Sequence, residues 1–144
     1  NMYESILVKL QEYEKNGQGR KTIIHGDPVF TNIIINKYGK IKFIDMRGKI
    51  GDTLTICGDW LYDWAKIYQS IIGYDEILLS KSIENKYKEN MIDVFKKYFI
   101  DRFSEEDFEN LKVITKSLLF TLIPLHNNEK CIQYYKLLFS IHLV

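Results

Sequence analysis

The sequence predicts an α+β domain, mainly α, in which a helical body carries one small sheet. Three observations support that class. Apolar residues recur at helical spacing in five stretches, three short runs between residues 22 and 44 have strand composition, and no internal repeat or linker divides the chain. Its 144 residues are one domain's worth, so residues 1–144 are read as a single domain.

Each element has its own signals. Ile6, Leu7, Leu10 and Tyr13 define an amphipathic helix that Asn16-Gly17 ends near residue 15. The following Gly17-Gln18-Gly19-Arg20-Lys21-Thr22 has neither the third Gly of a dinucleotide fingerprint nor the spacing of a P-loop. It also precedes a strand instead of following one, and so reads as a flexible connection. Residues 22–24 and 33–35 are β-branched runs, and residues 40–44 alternate as a third strand. Asn36-Lys37-Tyr38-Gly39 is turn chemistry that joins the last two into a hairpin. Residues 46–58, with Gly48, Gly51 and Gly58 and no sustained period, read as a long loop, and loops of that length are often functional.

Asp59 is a candidate N-cap for a helix whose apolar set, including Trp60, Leu61, Trp64, Ala65, Tyr68 and Ile72, covers most of its circumference before Gly73. A helix of that kind should be central and buried. Amphipathic helices then run from Ser82 to about residue 99, from Ser104 to about residue 122 and from Asn128 to about residue 142. Ser104 is an N-cap, Glu105, Glu106 and Asp107 complement the helix dipole in the first turn, and Pro124 lies past the end.

Composition argues against several classes. Twenty basic against nineteen acidic residues leave a net charge of +1, which offers no electrostatic reason for a nucleic-acid or anionic-membrane partner. No apolar run is long enough for a membrane span, and the charged opening does not read as a signal peptide. Two cysteines, Cys57 and Cys131, are too few for a disulfide framework and match no zinc spacing, so a reducing cytoplasm is expected. The Asn before the first Met reads as a tag remnant or the edge of an excised fragment.

The chemistry concentrates in residues 22–45, TIIHGDPVFTNIIINKYGKIKFID. Asn32 follows Asp27 by five residues and Asp45 follows it by eighteen, so a hairpin folding back would gather all three at one end of the sheet. That grouping suits a metal ion. His-x-Asp-x-x-x-x-Asn is the spacing of the protein-kinase catalytic loop, in which the Asp accepts the substrate hydroxyl proton and the Asn holds magnesium. Here Gly26 stands where Arg is usual.

His-Gly-Asp with a hairpin and Ile-Asp behind it, followed by Gly58-Asp59-Trp60-Leu61-Tyr62-Asp63-Trp64-Ala65-Lys66, resembles the aminoglycoside phosphotransferase and choline kinase family. These are small-molecule kinases of the protein-kinase fold. A narrower likeness is to bacterial kinase-like proteins of capsule and lipopolysaccharide assembly. It is carried by HGDPVFTN, IDMRG, GDWLYDWAK and Leu122-Ile123-Pro124-Leu125-His126, with Met46 in place of the usual Pro. The likeness spans residues 22–126.

The resemblance implies a kinase-like C-terminal lobe, with Asp27 as catalytic base, Asn32 and Asp45 as Mg2+ ligands and ATP as co-substrate. It implies a sugar, amino alcohol or similar small-molecule hydroxyl compound as acceptor. His25, Asp63 and Asp59 would orient the loop, although Asp59 serves equally as an N-cap alone. Arg47 is a candidate contact to phosphate or substrate, or else half of a surface ion pair. Trp60, Tyr62 and Trp64 have the residue types of a choline cage, yet on so apolar a helix most of them are expected in the core. The family's N-terminal lobe, with its glycine-rich loop, strand Lys and helix Glu, has no counterpart before His25. That implies a missing N-terminal lobe supplied in cis or by a partner in trans. Two other classes stay open: a catalytically silent binding or assembly module of the same fold, and a metal-dependent phosphohydrolase using His25, Asp27 and Asp45 as ligands.

Overall fold

Helix α1 (Met2–Lys15) opens the computed structural model, which describes residues 1–143. The Asn1 side chain caps it by accepting from the Tyr3 N–H at 3.0 Å. Strand β1 (Lys21–Ile23) follows, and a loop ending in a 3-10 turn at Phe30–Asn32 leads to the hairpin of β2 (Ile33–Ile35) and β3 (Ile41–Phe43). The hairpin turn is closed as its composition requires, with Asn36 Oδ1 accepting from the N–H groups of Tyr38 and Lys40. Three further strands, β4 (Lys49–Ile50), β5 (Thr53–Leu54) and β6 (Cys57–Asp59), precede the helices. These are α2 (Trp60–Ile72), α3 (Tyr74–Leu79), α4 (Asn85–Arg102), α5 (Glu105–Leu122) and α6 (Asn128–Ser140).

The chain is α+β and mainly α, but the single small sheet and the 46–58 loop expected from the sequence need correction. The strands form three antiparallel ladders of two strands each: β1 with β6, β2 with β3, and β4 with β5. A left-handed turn at Gly26, φ +86°, lies between β1 and the hairpin, and β1 finds its partner in residues 57–59 instead. A Cβ at Gly58, opposite Thr22 in that ladder, would press on the Ile24 side chain, which would have to shift. Strands of two or three residues leave no alternation to read, which is why residues 46–58 read as irregular.

Helix α3 was not expected either, because six residues are too few to show a period. Its presence moves the start of the next helix from Ser82 to Asn85. The Ser104 cap is as expected, with Ser104 Oγ accepting from the Asp107 N–H at 3.0 Å.

α2 is central. It packs against α4 and α5, and α5 in turn packs against α1 and α6. Leu61, Phe99, Leu111, Leu119, Tyr134 and Leu138 are fully buried in the resulting core. Trp60 and Trp64 join it through Phe99 and Phe103, with ring centroids 4.9 to 6.4 Å apart. Those two aromatics are packing residues, and Tyr62 is not with them. The strands leave Ile23, Ile35, Ile41 and Leu54 largely exposed, as the hairpin turn leaves Tyr38. No helix among the described residues is long and apolar enough to cross a membrane.

Candidate active site

The loop between β1 and β2 lies along one face of α2, and that face explains its shape. Asp63, Lys66 and Ser70 stand at i, i+3 and i+7, so their side chains share one stripe of the helix. Asp63 Oδ2 accepts from the His25 N–H at 2.7 Å and Asp63 Oδ1 from the Gly26 N–H at 2.9 Å. Lys66 Nζ stands 3.1 Å from Asp27 Oδ1. Ser70 Oγ accepts from the Phe30 N–H at 3.2 Å. Three helix residues thus hold four loop residues in order, and two of the backbone amides meet a carboxylate in short, charge-assisted bonds.

Within the loop, His25 Nδ1 accepts from the Asp27 N–H at 3.3 Å, and its Nε2 is buried without a hydrogen-bond partner among the described residues. The imidazole therefore shapes the turn that presents Asp27. Gly26 is required there twice over. Its φ is +86°, and a Cβ at this position would come 2.6 Å from Arg47 Cβ.

Asn32 closes on Asp27 from the far end of the loop. Its Nδ2 donates to the Asp27 carbonyl at 2.9 Å and to Asp27 Oδ2 at 3.3 Å, which leaves the amide oxygen as the atom for a cation. Asp45 reaches this group through the backbone on either side of it. The Ile44 N–H donates to the Asn32 carbonyl at 3.0 Å, and the Arg47 N–H donates to the His25 carbonyl at 2.9 Å. Pinned between those bonds, Asp45 adopts φ +57°, a left-handed conformation that costs a non-glycine residue about 1 kcal/mol. Strain of this kind persists only where the surroundings fix it, and it gathers at functional sites.

The remaining expected site residues are placed differently. Arg47 turns its guanidinium to Tyr62, with Nη1 donating to the phenol oxygen at 2.6 Å, so its partner is an aromatic hydroxyl and not an acidic residue. Asp59, one of the residues expected to orient the loop, is a correction: its hydrogen bonds go elsewhere. It caps α2 by accepting from the Leu61 N–H at 2.9 Å, and it accepts from the Tyr13 hydroxyl at 3.1 Å, tying α1 to α2. Burial, followed by the Asp59 charge, pushes the Tyr13 hydroxyl well above the usual phenol range. The loop-holding role falls to Asp63.

Lys66 and Ser70 were not singled out from the sequence. Their signal is that they are polar positions on the Asp63 stripe of α2, but its use requires knowing which face the loop covers. Burial, followed by the Asp27 charge, pushes the hydroxyl of Tyr74, just past α2, upward. An apolar cleft of about 520 Å3 adjoins the loop, lined by Phe30, Ile71, Tyr87, Met91, Phe95 and Tyr98. Among the described residues no three His, Cys, Asp or Glu side chains converge as metal ligands, so His25, Asp27 and Asp45 do not form such a cluster. The chain was compared with family models, curated proteins and solved structures, and none of them matches.

Proposed function

We propose that this chain is the catalytic half of a cytoplasmic small-molecule kinase of the aminoglycoside phosphotransferase type. It would transfer the γ-phosphoryl group of ATP to a hydroxyl of a sugar, amino alcohol or similar metabolite, with surface-polysaccharide assembly as the setting. The observation that supports this reading best is the contact of Asn32 with Asp27 in a loop clamped to α2 through Asp63, with the backbone on either side of Asp45 bonded to that loop.

In this reading Asp27 takes the proton of the acceptor hydroxyl, and the clamp holds it where a general base must stand. Asn32 and Asp45 are the residues that would hold Mg2+. One amide oxygen and one carboxylate form a hard, incomplete donor set of the kind this ion shares with phosphates. When bound, the ion neutralises charge on the phosphates. Phosphoryl transfer asks the protein mainly for positioning and electrostatics, which is what the two pinned segments supply.

The exposed apolar strand faces support an incomplete cleft. Ile23, Ile35, Ile41 and Phe43 are the kind of surface that a second lobe, in cis or from a partner, would cover. The test is Mg2+-dependent ATP binding and hydrolysis by the full-length protein. Asp45→Ala should lose Mg2+-dependent nucleotide binding. Asp27→Ala should retain binding and lose turnover by about 10²-fold or more, the range of a general base. Full activity in both variants would sink the assignment.

A further inference from the structure

The ion pair between Lys66 and Asp27 is unexplained by the roles assigned so far. Lys66 projects from α2 onto the carboxylate that would act as base, with a side chain 15% exposed against 41% for Asp27. Pairs in which one partner is this open to water contribute little to stability, so folding alone does not account for a lysine held there. The loop itself carries no Lys or Arg from His25 to Asn32. Of the two flanking arginines, Arg20 lies over the Trp60 ring and Arg47 is engaged by Tyr62. The cation that meets Asp27 comes from α2.

We propose that Lys66 is a catalytic residue of this site, its ammonium passing from Asp27 to the transferred phosphoryl group. The proposal rests on the kinase reading given above. In the step, the acceptor oxygen forms a bond to the γ-phosphorus, the bond from that phosphorus to the β–γ bridging oxygen breaks, and ADP leaves with the electron pair. The acceptor's proton goes to the Asp27 carboxylate. Once Asp27 is neutral it no longer holds the ammonium, while negative charge is spread over the oxygens of the phosphoryl group in transfer. Lys66 keeps all its protons and changes partner. A cation that strengthens its contact as charge redistributes stabilises the transition state more than the ground state.

The second charged group on the same helix stripe fits this division. Asp63 holds backbone amides and fixes the loop, whereas Lys66 holds only a side chain and is free to exchange it. Ser70, one turn further, again takes a backbone amide.

The experiment is calorimetric and uses the full-length protein with two probes, MgADP alone and MgADP with aluminium fluoride, which mimics the phosphoryl group in flight. The wild type should bind the second probe more tightly than the first. Lys66→Met should bind MgADP as the wild type does but lose about tenfold or more for the fluoride complex, the worth of one charge-assisted hydrogen bond. Lys66→Arg should keep most of the difference. Unchanged MgADP binding also shows that the variants are folded. Equal fluoride-complex affinity in wild type and Lys66→Met would overturn the proposal while leaving the kinase reading intact, as would an equal loss for both probes. A wild type that binds MgADP and gains nothing from fluoride would do the same. Failure of the wild type to bind MgADP at all would overturn the kinase reading, and this proposal with it.

Discussion

The helical body and the strand-bearing half are held together by different means. In the body, side chain meets side chain, and Leu61, Leu111 and Leu119 are 0% exposed. In the strand half, Ile35 is 64% and Ile41 60% exposed, and the joins are backbone hydrogen bonds such as Ile24 N–H to the Ile56 carbonyl at 2.9 Å. Apolar burial contributes about 25 cal/mol per Å2, whereas a single hydrogen bond contributes about 0.5–1.5 kcal/mol net. The body is therefore the more strongly held half. The candidate site belongs to the weaker half and takes its rigidity from one stripe of α2.

The contrast is broken most severely at Phe99, whose ring meets Trp60, Trp64, Phe95, Phe103 and Phe108. Phe99→Ala should lower the unfolding free energy by about 3–5 kcal/mol, the usual cost of emptying such a site. Ile35→Ser, on an exposed strand face, should change it by no more than about 0.5 kcal/mol. Urea denaturation of both variants measures the difference. Comparable losses would mean that the strands carry as much of the fold as the helices do.

The same contrast decided what was legible in the sequence. The helix faces could be read because burial imposes a period, and so α2 was expected to be central from its apolar circumference alone. The Ser104 and Asp59 caps were legible because an orphan N–H needs a nearby acceptor. β4, β5, β6 and α3 were not, since elements this short are set by tertiary pairing and leave no period. At the site, Asp27, Asn32 and Asp45 could be selected by spacing, but partner choice could not. Asp59 and Asp63 lie four residues apart and look interchangeable in the sequence. As possible loop holders they are separated only by packing, which gives Tyr13 to Asp59 and the loop amides to Asp63.

That separation gives a second, smaller test. Asp63→Ala leaves two loop amides without an acceptor and should cost about 1–3 kcal/mol. Its effect should be local, with faster hydrogen exchange at the His25 and Gly26 amides while α2 stays protected. Asp59→Ala removes a cap and should cost about 1 kcal/mol, with exchange accelerated at the start of α2 and not in the loop. Loop amides that open equally in both variants would show that the two carboxylates share the work.

The smallest effect is expected where α1 meets α2, and it depends on pH. The folded-state pKa of Tyr13 is raised by burial and by Asp59 above the ordinary value of 10.0. Below about pH 10 the phenol is neutral in both states, and its contribution is fully present. Above that pH the unfolded chain releases a proton that the folded chain retains, so stability falls as pH rises. Tyr68, Tyr74 and Tyr134 are raised too, chiefly by burial, and add to the fall. Tyr13→Phe should cost about 0.5–1.5 kcal/mol at neutral pH through the lost bond to Asp59. Between about pH 8 and about pH 11 the variant should lose less stability than the wild type, because one of the four titrating phenols is gone. Equal losses would mean that Tyr13 is already free to ionise in the folded chain, and that Asp59 acts as a cap without anchoring α1.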